Sequence, residues 1–201
     1  MKLYIVRHGE TDWNKARKLQ GTADIPLNEY GRELARATAL GLREIPFDAV
    51  YASPLIRAKE TAEIIAGKRD IPVVTDARLM EMDFGSGEGT SIAAAEADPE
   101  NPFYFFLRQP EKYVPSAGES FQDVENRARS FIQEVILPGE DKWQNMLIAS
   151  HGGFIRSFLN CIEKRELADF WNGIPQKNCA VTIAECRSGR IEILEEGKLF
   201  Y

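Results

Sequence analysis

The sequence contains few cysteines and even fewer histidines. Its three cysteines, Cys161, Cys179 and Cys186, are odd in number and lack the spacing of a metal site or a disulfide framework, so we expect reduced thiols in the core. The only two histidines, His8 and His151, lie far apart in the chain, without a local ligand spacing or an accompanying carboxylate cluster. This pattern argues against a catalytic metal.

Long hydrophobic runs and runs of positive charge are also missing. The N-terminal stretch MKLYIVRHG carries charges at Lys2 and Arg7, which leaves too short an apolar run for a signal peptide or a membrane span. We therefore expect a cytoplasmic protein with no membrane partner. A formal net charge of −6, with no Lys/Arg-rich segment, argues against nucleic acid as a partner. A small anion can still bind, because a pocket needs only a few local positive groups.

The composition, with 44% hydrophobic and 28% charged residues, is ordinary for a globular protein. A chain of 201 residues can bury a core without disulfides, and its length fits one domain, residues 1–201, with a modest insertion. Apolar runs predict strands at residues 3–6, 49–52, 73–75 and 146–149. A later pair of segments, residues 179–186 and 190–195, flanks Ser188-Gly189 and predicts an antiparallel hairpin.

Helical periodicity fills the gaps between these strands. Asn28 and Ser120 are predicted N-caps, and Ser53-Pro54 is predicted to open a helix with proline at its first position. A further helix is predicted over residues 154–162, directly after His151. Alternating strands and helices predict an α/β fold, a three-layer sandwich with a mostly parallel sheet.

Residues 86–118 break this alternation. They contain short helical pieces, a loop with proline and glycine, and the aromatic cluster of residues 103–106. We expect a small helical subdomain inserted over one end of the sheet, above the active site. The aromatic cluster would form either its core or a wall facing the substrate.

Chemically informative residues follow several of the predicted strands. His8 and His151 each come after a strand, and Arg57 lies in the first turn of the helix after residues 49–52. Ligands of open α/β sheets bind beyond the carboxyl ends of the strands, so these side chains are expected to converge there. With Arg7 they would offer two guanidinium forks that match phosphate oxygens and two imidazoles, one a nucleophile and the other a donor. Helix N-termini after Ser53 and His151 would add amide donors.

Six motifs resemble those of the histidine phosphatase superfamily, and they occur in that family's order and at its spacing. The motifs are RHGETDWN at 7–14, QGTADIPLNEYG at 20–31, ASPLIRAKETA at 52–62, LMEMDFGSGEG at 79–89, GES at 118–120 and SHGGFIR at 150–156. The resemblance implies a phosphoglycerate mutase-like fold and a phosphohistidine chemistry that uses neither a metal nor another cofactor.

The resemblance also implies catalytic roles. His8 matches the nucleophile that becomes phosphorylated, and Glu81 matches the acid that protonates the leaving oxygen and afterwards activates water. An acid within reach of that oxygen contributes ~10²–10⁴-fold to the rate. Glu10, Asp83 and Glu88 are rival carboxylates nearby in sequence. The residues that the resemblance assigns to the phosphoryl group and the substrate mouth are Arg7, Asn14, Gln20, Gly21, Arg57 and His151.

The superfamily includes phosphatases and mutases. Mutases of the family carry a longer insertion with extra basic residues, whereas here only Arg108 and Lys112 are basic between Glu81 and Gly118. We therefore expect a phosphomonoester hydrolase acting on a small phosphorylated metabolite. A phosphoglycerate mutase-type transfer and a catalytically silent phosphate-binding module are the alternatives, and a homodimer is left open.

Among the phosphatases, the chain looks similar to both the bacterial broad-specificity and the α-ribazole enzymes. It departs from its relatives at two positions near the expected rim of the pocket. Gly87 stands where relatives often have tryptophan, and Ala117 stands where glycine is usual. These departures bear on the substrate more than on the chemistry.

Overall fold

A six-stranded mixed sheet forms the centre of the computed structural model, which describes residues 1–201. The strands are β1 Lys2–Arg7, β2 Ala49–Ala52, β3 Val73–Thr75, β4 Asn145–Ser150, β5 Val181–Arg187 and β6 Arg190–Lys198. Their order in the sheet is β3-β2-β4-β1-β5-β6. The first four strands are parallel, β5 pairs antiparallel with β1, and β6 pairs antiparallel with β5. The predicted three-layer α/β fold with a mostly parallel sheet is confirmed.

Both faces of the central strands are buried, which explains their continuous apolar sequences. Along β1, Leu3 and Ile5 contribute to the core on one face, while Tyr4 and Val6 contribute to the core on the other. The hairpin is also confirmed, but β5 begins two residues later than predicted. Cys179 explains the delay, because its φ of 55° lies in the left-handed region and cannot continue an extended strand.

The helices cover the two faces of the sheet. They are α1 Asp12–Lys15, α2 Glu29–Gly41, α3 Ile56–Ala66, α4 Ile92–Ala97, α5 Tyr104–Arg108, α6 Phe121–Phe131, α7 Leu137–Gly139 and α8 Gly152–Glu163. The predicted caps of α2 and α6 are present: Asn28 accepts the Gly31 amide at 2.8 Å, and Ser120 forms a reciprocal capping box with Asp123. No helix has both the length and the apolar character needed to cross a membrane.

The predicted start of α3 at Ser53-Pro54 is wrong. The helix begins at Ile56, because Leu55 is extended, with a ψ of 132°. Its first amide is capped by a residue from a distant loop, since Asp24 Oδ1 accepts a hydrogen bond from the Ile56 N–H at 2.7 Å. The boundary of this helix is therefore set by a tertiary contact.

Strand register brings the ends of β1 and β4 together. Arg7 pairs with Ser150, so the residues that follow them, His8 and His151, leave the sheet side by side. The His8 N–H donates to the Ser150 carbonyl at 2.9 Å and continues the ladder by one bond. β2 lies on the far side of β4, which brings the first turn of α3 to the same edge.

Residues 86–118 contain α4, α5 and short 3₁₀ turns beside this edge. The main chain of Leu19 pairs with this segment, donating to the Thr90 carbonyl at 2.8 Å and accepting from the Gly89 amide at 2.9 Å. Aromatic contacts join the same segment to α6, where the rings of Phe106 and Phe121 stack with their centres 5.3 Å apart. We propose that this segment is an inserted cover over the cavity at the strand ends.

Two glycines let the loop after β1 pack directly on α2. A Cβ added to Gly31 would lie 2.1 Å from the Glu10 carbonyl oxygen, and one added to Gly9 would lie 2.5 Å from the Gly31 oxygen. In both cases the obstacle is main chain, which cannot rotate away. Only glycine permits this approach.

Gly31→Ala is expected to lower the free energy of unfolding. Replacing glycine by alanine inside a helix stabilises the helix by ~1 kcal/mol. Overpacking costs ~1–3 kcal/mol, and we expect a cost near the upper end of this range because the obstacle is rigid main chain. We expect a net loss of about 2 kcal/mol in chemical denaturation. Gly41→Ala on the same helix is the control, because its obstacle is the ring of Phe200, which can move. Equal loss in the two variants would contradict the close main-chain packing.

Candidate active site

The two histidines lie against each other at the carboxyl ends of β1 and β4. Their ring centres are 5.1 Å apart, with an angle of 56° between the planes, and both side chains are buried. These two residues are far apart in the sequence. Parallel pairing of the two strands is what brings them together.

His8 has a defined tautomer. Its Nδ1 lies 2.7 Å from the Gly9 carbonyl oxygen, which can only accept, so Nδ1 carries the hydrogen. Nε2 therefore presents a lone pair. Burial is the main reason that the pKa of His8 lies well below its ordinary value, and the positive charges of Arg57 and Arg7 lower that pKa further.

His151 has the opposite tautomer. Its Nδ1 accepts a hydrogen bond from Arg57 Nε at 3.2 Å, so its Nε2 carries the hydrogen. That Nε2–H is buried and has no hydrogen-bond partner in the protein. Burial, followed by the charge of Arg57, holds the pKa of His151 well below its ordinary value. A neutral donor is thus left next to the lone pair of His8.

Arg57 is buried behind the histidines, at the start of α3. Its Nη2 donates to the Gly21 carbonyl at 2.6 Å and its Nη1 to the Ala23 carbonyl at 2.8 Å. Gln20, with its carboxamide oxygen turned toward this guanidinium, accepts from Arg57 at 3.2 Å. Burial lowers the pKa of Arg57 to about 10, which still leaves the side chain charged near neutral pH.

A carboxylate holds the loop that contacts Arg57. Glu88 accepts hydrogen bonds from the amides of Gly21 at 3.0 Å, Thr22 at 2.7 Å and Ala23 at 3.3 Å. The loop is therefore fixed between a buried guanidinium on its carbonyl side and a carboxylate on its amide side. Glu88, which the sequence offered as an alternative to Glu81 for the catalytic acid, instead holds this loop through its hydrogen bonds.

Glu81 lies across the N-terminus of α8. Its Oε1 accepts from the amides of Met82 and Phe154, and its Oε2 accepts from the Gly153 amide, all at 2.9 Å. The prediction that helix N-termini offer free amide donors is wrong for three amides: Glu81 accepts from those of Gly153 and Phe154 in α8, and Asp24 caps that of Ile56 in α3. A carboxylate at a helix N-terminus is favoured by the helix dipole.

A cavity of about 400 Å³ opens beside these groups. Predicted site residues that line it are Arg7, His8, Asn14, Gln20 and Glu81. Arg57, His151 and Gly21 are buried immediately behind that surface. No set of three or more His, Cys, Asp and Glu side chains is arranged to hold a metal ion.

Several cavity residues were not singled out as binding residues by the sequence. They include Lys18, Ile92, Glu96, Arg156, Trp171 and Gln176. Arg156 belongs to the SHGGFIR motif, which was a usable signal, but nothing local marks the others. Phe106 both lines the cavity and packs in the core, so the aromatic cluster supplies core and wall together.

The departure at Gly87 also has a structural reason. A Cβ added there would lie 2.0 Å from the ring of Phe103, so this ring fills the space that a larger residue would need. Phe103 in turn contacts Phe84, a cavity residue, with ring centres 5.9 Å apart. Glycine at position 87 therefore leaves room for the ring of Phe103 beside the pocket.

The chain is similar to phosphatases and to mutases of known families. The sequence pattern of the histidine phosphatase superfamily (branch 1) matches residues 3–197. Putative phosphoserine phosphatase 2 of Hydrogenobacter thermophilus is 33% identical, over 90% of this chain and 87% of the relative. 2,3-Bisphosphoglycerate-dependent phosphoglycerate mutase 2 of Gloeobacter violaceus is 33% identical, over 78% of this chain and 73% of the relative.

Solved structures agree with this relationship. The structure of YhfR from Bacillus stearothermophilus superposes with a TM-score of 0.91 at 34% identity, covering 98% of this chain and 97% of that one. The match of the family pattern extends over nearly the whole chain, and phosphatases are prominent among its relatives. The protein thus belongs to the histidine phosphatase superfamily, branch 1, and is an enzyme of the phosphatase type.

Proposed function

We propose that the protein hydrolyses phosphomonoesters of small metabolites through a phosphohistidine on His8, without a metal. The observation that carries this proposal is the pair of neighbouring imidazoles with opposite tautomers. His8 presents a lone pair at Nε2, while His151 presents an unpartnered N–H. A nucleophile beside a neutral donor, with two guanidinium groups near, suits attack on a phosphoryl group.

In the first half of the reaction, His8 Nε2 attacks phosphorus and the bond from phosphorus to the leaving oxygen breaks. Arg7, Arg57 and the His151 N–H hold the phosphoryl oxygens, and Asn14 adds a further donor. Phosphoryl transfer needs little more than positioning and charge stabilisation, which such a cradle supplies. Loss of one preorganised donor in an oxyanion site costs ~2.7–4 kcal/mol.

Glu81 handles the proton in both halves. It gives a proton to the leaving oxygen, so the product departs as an alcohol, and the substrate phosphate beside it favours the protonated form beforehand. In the second half the Glu81 carboxylate takes a proton from water, which attacks the phosphohistidine and releases inorganic phosphate. The three amides that donate to Glu81 hold the carboxyl group in place for both steps.

The residues that line the cavity support a small phosphorylated metabolite as the substrate. Beyond the phosphate end, the lining includes Leu19, Phe84, Ile92, Phe106, Leu107 and Trp171. Neither Arg108 nor Lys112 lines the cavity, so the insertion supplies no cation there. Of the two lining cations other than Arg7, Arg156 donates to the carbonyls of Asn172 and Ile174, which leaves Lys18 as the one cation without such partners. This small number of cations favours water, rather than a second phosphorylated ligand, as the acceptor of the phosphoryl group.

Hydrolysis of p-nitrophenyl phosphate is expected to persist in excess EDTA and to disappear in the His8→Ala variant, because the chemistry resides in protein side chains. Release of p-nitrophenol gives the measurement. Complete loss in EDTA that a divalent metal restores would contradict the metal-free reaction. Efficient conversion of 3-phosphoglycerate to 2-phosphoglycerate with added bisphosphoglycerate would instead establish a mutase.

Glu81→Gln should slow an alkyl phosphomonoester by ~10²–10⁴-fold and p-nitrophenyl phosphate much less, because p-nitrophenolate leaves without a proton. Steady-state kcat/KM on the two substrates gives the comparison, because it reports the transfer to His8 and excludes the hydrolysis of the phosphohistidine that both substrates share. Glu88→Gln is the control for a carboxylate outside the cavity lining, and it should affect both substrates alike. Equal losses on both substrates in Glu81→Gln would contradict its role as proton donor.

Both histidines should remain neutral when a free histidine becomes charged. Their folded-state pKa values are depressed, so the folded protein takes up no proton on them as pH falls through about 6.5, whereas the unfolded chain does. Stability is therefore lost as pH falls below about 6.5. With only two histidines, ¹⁵N-detected ring spectra at pH 6 should show one Nδ1–H and one Nε2–H tautomer. Two imidazolium signals would contradict the assignment.

A further inference from the structure

Residues 176–179, the segment before β5, contact the end of β1 next to His8. Arg7 Nη1 donates to the Gln176 carbonyl at 2.6 Å. In the other direction, the Cys179 amide donates to the carbonyls of Arg7 at 3.0 Å and His8 at 3.3 Å. This segment is therefore fastened to the end of β1 on both sides, and the positive φ of Cys179 is part of that fit.

Asn178, in the middle of the segment, points its side-chain amide at three acceptors. Its Nδ2 lies 3.1 Å from the His8 carbonyl, 3.2 Å from the Gly9 carbonyl and 3.2 Å from Asn14 Oδ1. Because two of these partners are carbonyl oxygens that can only accept, the group facing them must be the nitrogen. Two hydrogens serve three acceptors, so one of them is shared.

One of these acceptors also controls the imidazole of His8. The Gly9 carbonyl accepts from both His8 Nδ1 and Asn178 Nδ2. That carbonyl fixes the tautomer that leaves the lone pair on Nε2, so its direction sets the direction of the ring. Asn178 Nδ2 is therefore a second donor on the oxygen that holds the imidazole.

A second acceptor controls Asn14, which lines the cavity. Asn14 Oδ1 accepts from the Thr11 amide at 3.2 Å and from Asn178 Nδ2 at the same distance. With its oxygen held by two donors, the carboxamide must turn its own nitrogen away from them. That nitrogen is the donor available to a phosphoryl oxygen.

We propose that Asn178 is a positioning residue for phosphoryl transfer, orienting the nucleophile His8 through the Gly9 carbonyl and the phosphate ligand Asn14 through its Oδ1. This inference rests on the proposed function. The main chain of Asn178 is held in place as well, because the Tyr201 hydroxyl donates a hydrogen bond to its carbonyl at 2.7 Å. Asn178 lies in none of the motifs that identified the site.

The test compares Asn178→Ala and Asn178→Asp with the wild-type protein. Asn178→Asp retains the shape of the side chain but loses the donor and adds a negative charge, whereas Asn178→Ala loses the donor and the packing without adding charge. The loss of the donor is what the two variants share. By analogy with the outer hydrogen bonds that orient metal-binding histidines, we expect a ~10–100-fold slower single-turnover phosphorylation of His8 in both variants. Asn145→Ala, which removes an asparagine-to-carbonyl hydrogen bond at the other end of β4, is the control and should leave this rate unchanged.

Ring ¹⁵N spectra of the unliganded protein give a readout that general destabilisation would not produce. In both variants the His8 signals should shift, with a weakened preference for Nδ1–H, while those of His151 stay in place. In a double-mutant cycle, Asn178→Ala should retain part of its effect in an Asn14→Ala background, because the route through His8 remains. Unchanged phosphorylation and unchanged His8 signals in folded variants would overturn the proposal.

The proposed function can fail separately from this inference. If the wild-type protein forms no phosphohistidine, the reaction scheme fails, while the ring spectra still report whether Asn178 orients His8. If the wild type is phosphorylated and both Asn178 variants match it, only the positioning role fails. An equal loss in Asn145→Ala would overturn it as well.

Discussion

The site depends on the parallel pairing of β1 with β4 in one register. Arg7 opposite Ser150 makes His8 and His151 neighbours, and a shift of one residue would send the two side chains to opposite faces of the sheet. Both strands are buried on two faces, so any other register would have to repack the core on each side of the sheet. The strands that build the core therefore also set the distance between the two imidazoles.

Burying two guanidinium groups beside two imidazoles carries an electrostatic cost, and the surroundings of the site offset it. Carbonyl oxygens accept from Arg7 Nη1 and from both terminal nitrogens of Arg57, while Glu81 and Glu88 provide negative charge nearby. Burial, and after it the same positive field, lowers the pKa of both histidines and keeps them neutral. Neutrality is useful here, since one imidazole must supply a lone pair and the other a hydrogen. The charge pattern that attracts an anion thus also prepares the groups that meet it.

The elements that can be predicted from the sequence are those whose local pattern agrees with the tertiary structure. The buried strands β1, β2 and β4, and the caps at Asn28 and Ser120, could be identified because each has a local signature. The start of α3 could not, since Asp24 supplies its cap from a distant loop. Asn178, Lys18 and Gln176 were missed for a related reason: their neighbours in sequence are ordinary, and only the fold brings them to the site. Among the carboxylates, the motif favoured Glu81, whereas Glu88 is occupied by loop amides and Glu10 accepts from Asn28.

The covalent intermediate is the feature that most directly distinguishes this chemistry from simple phosphate binding. Wild-type protein is mixed with a phosphomonoester that carries the label in its phosphoryl group. The mixture is quenched within milliseconds to seconds into alkaline denaturant, because phosphohistidine survives alkali. The labelled peptide is then identified by mass spectrometry. We expect the phosphoryl group on the peptide containing His8, bonded to Nε2. Turnover of substrate with no labelled protein, or with the label on His151, would contradict the assignment of His8 as the nucleophile.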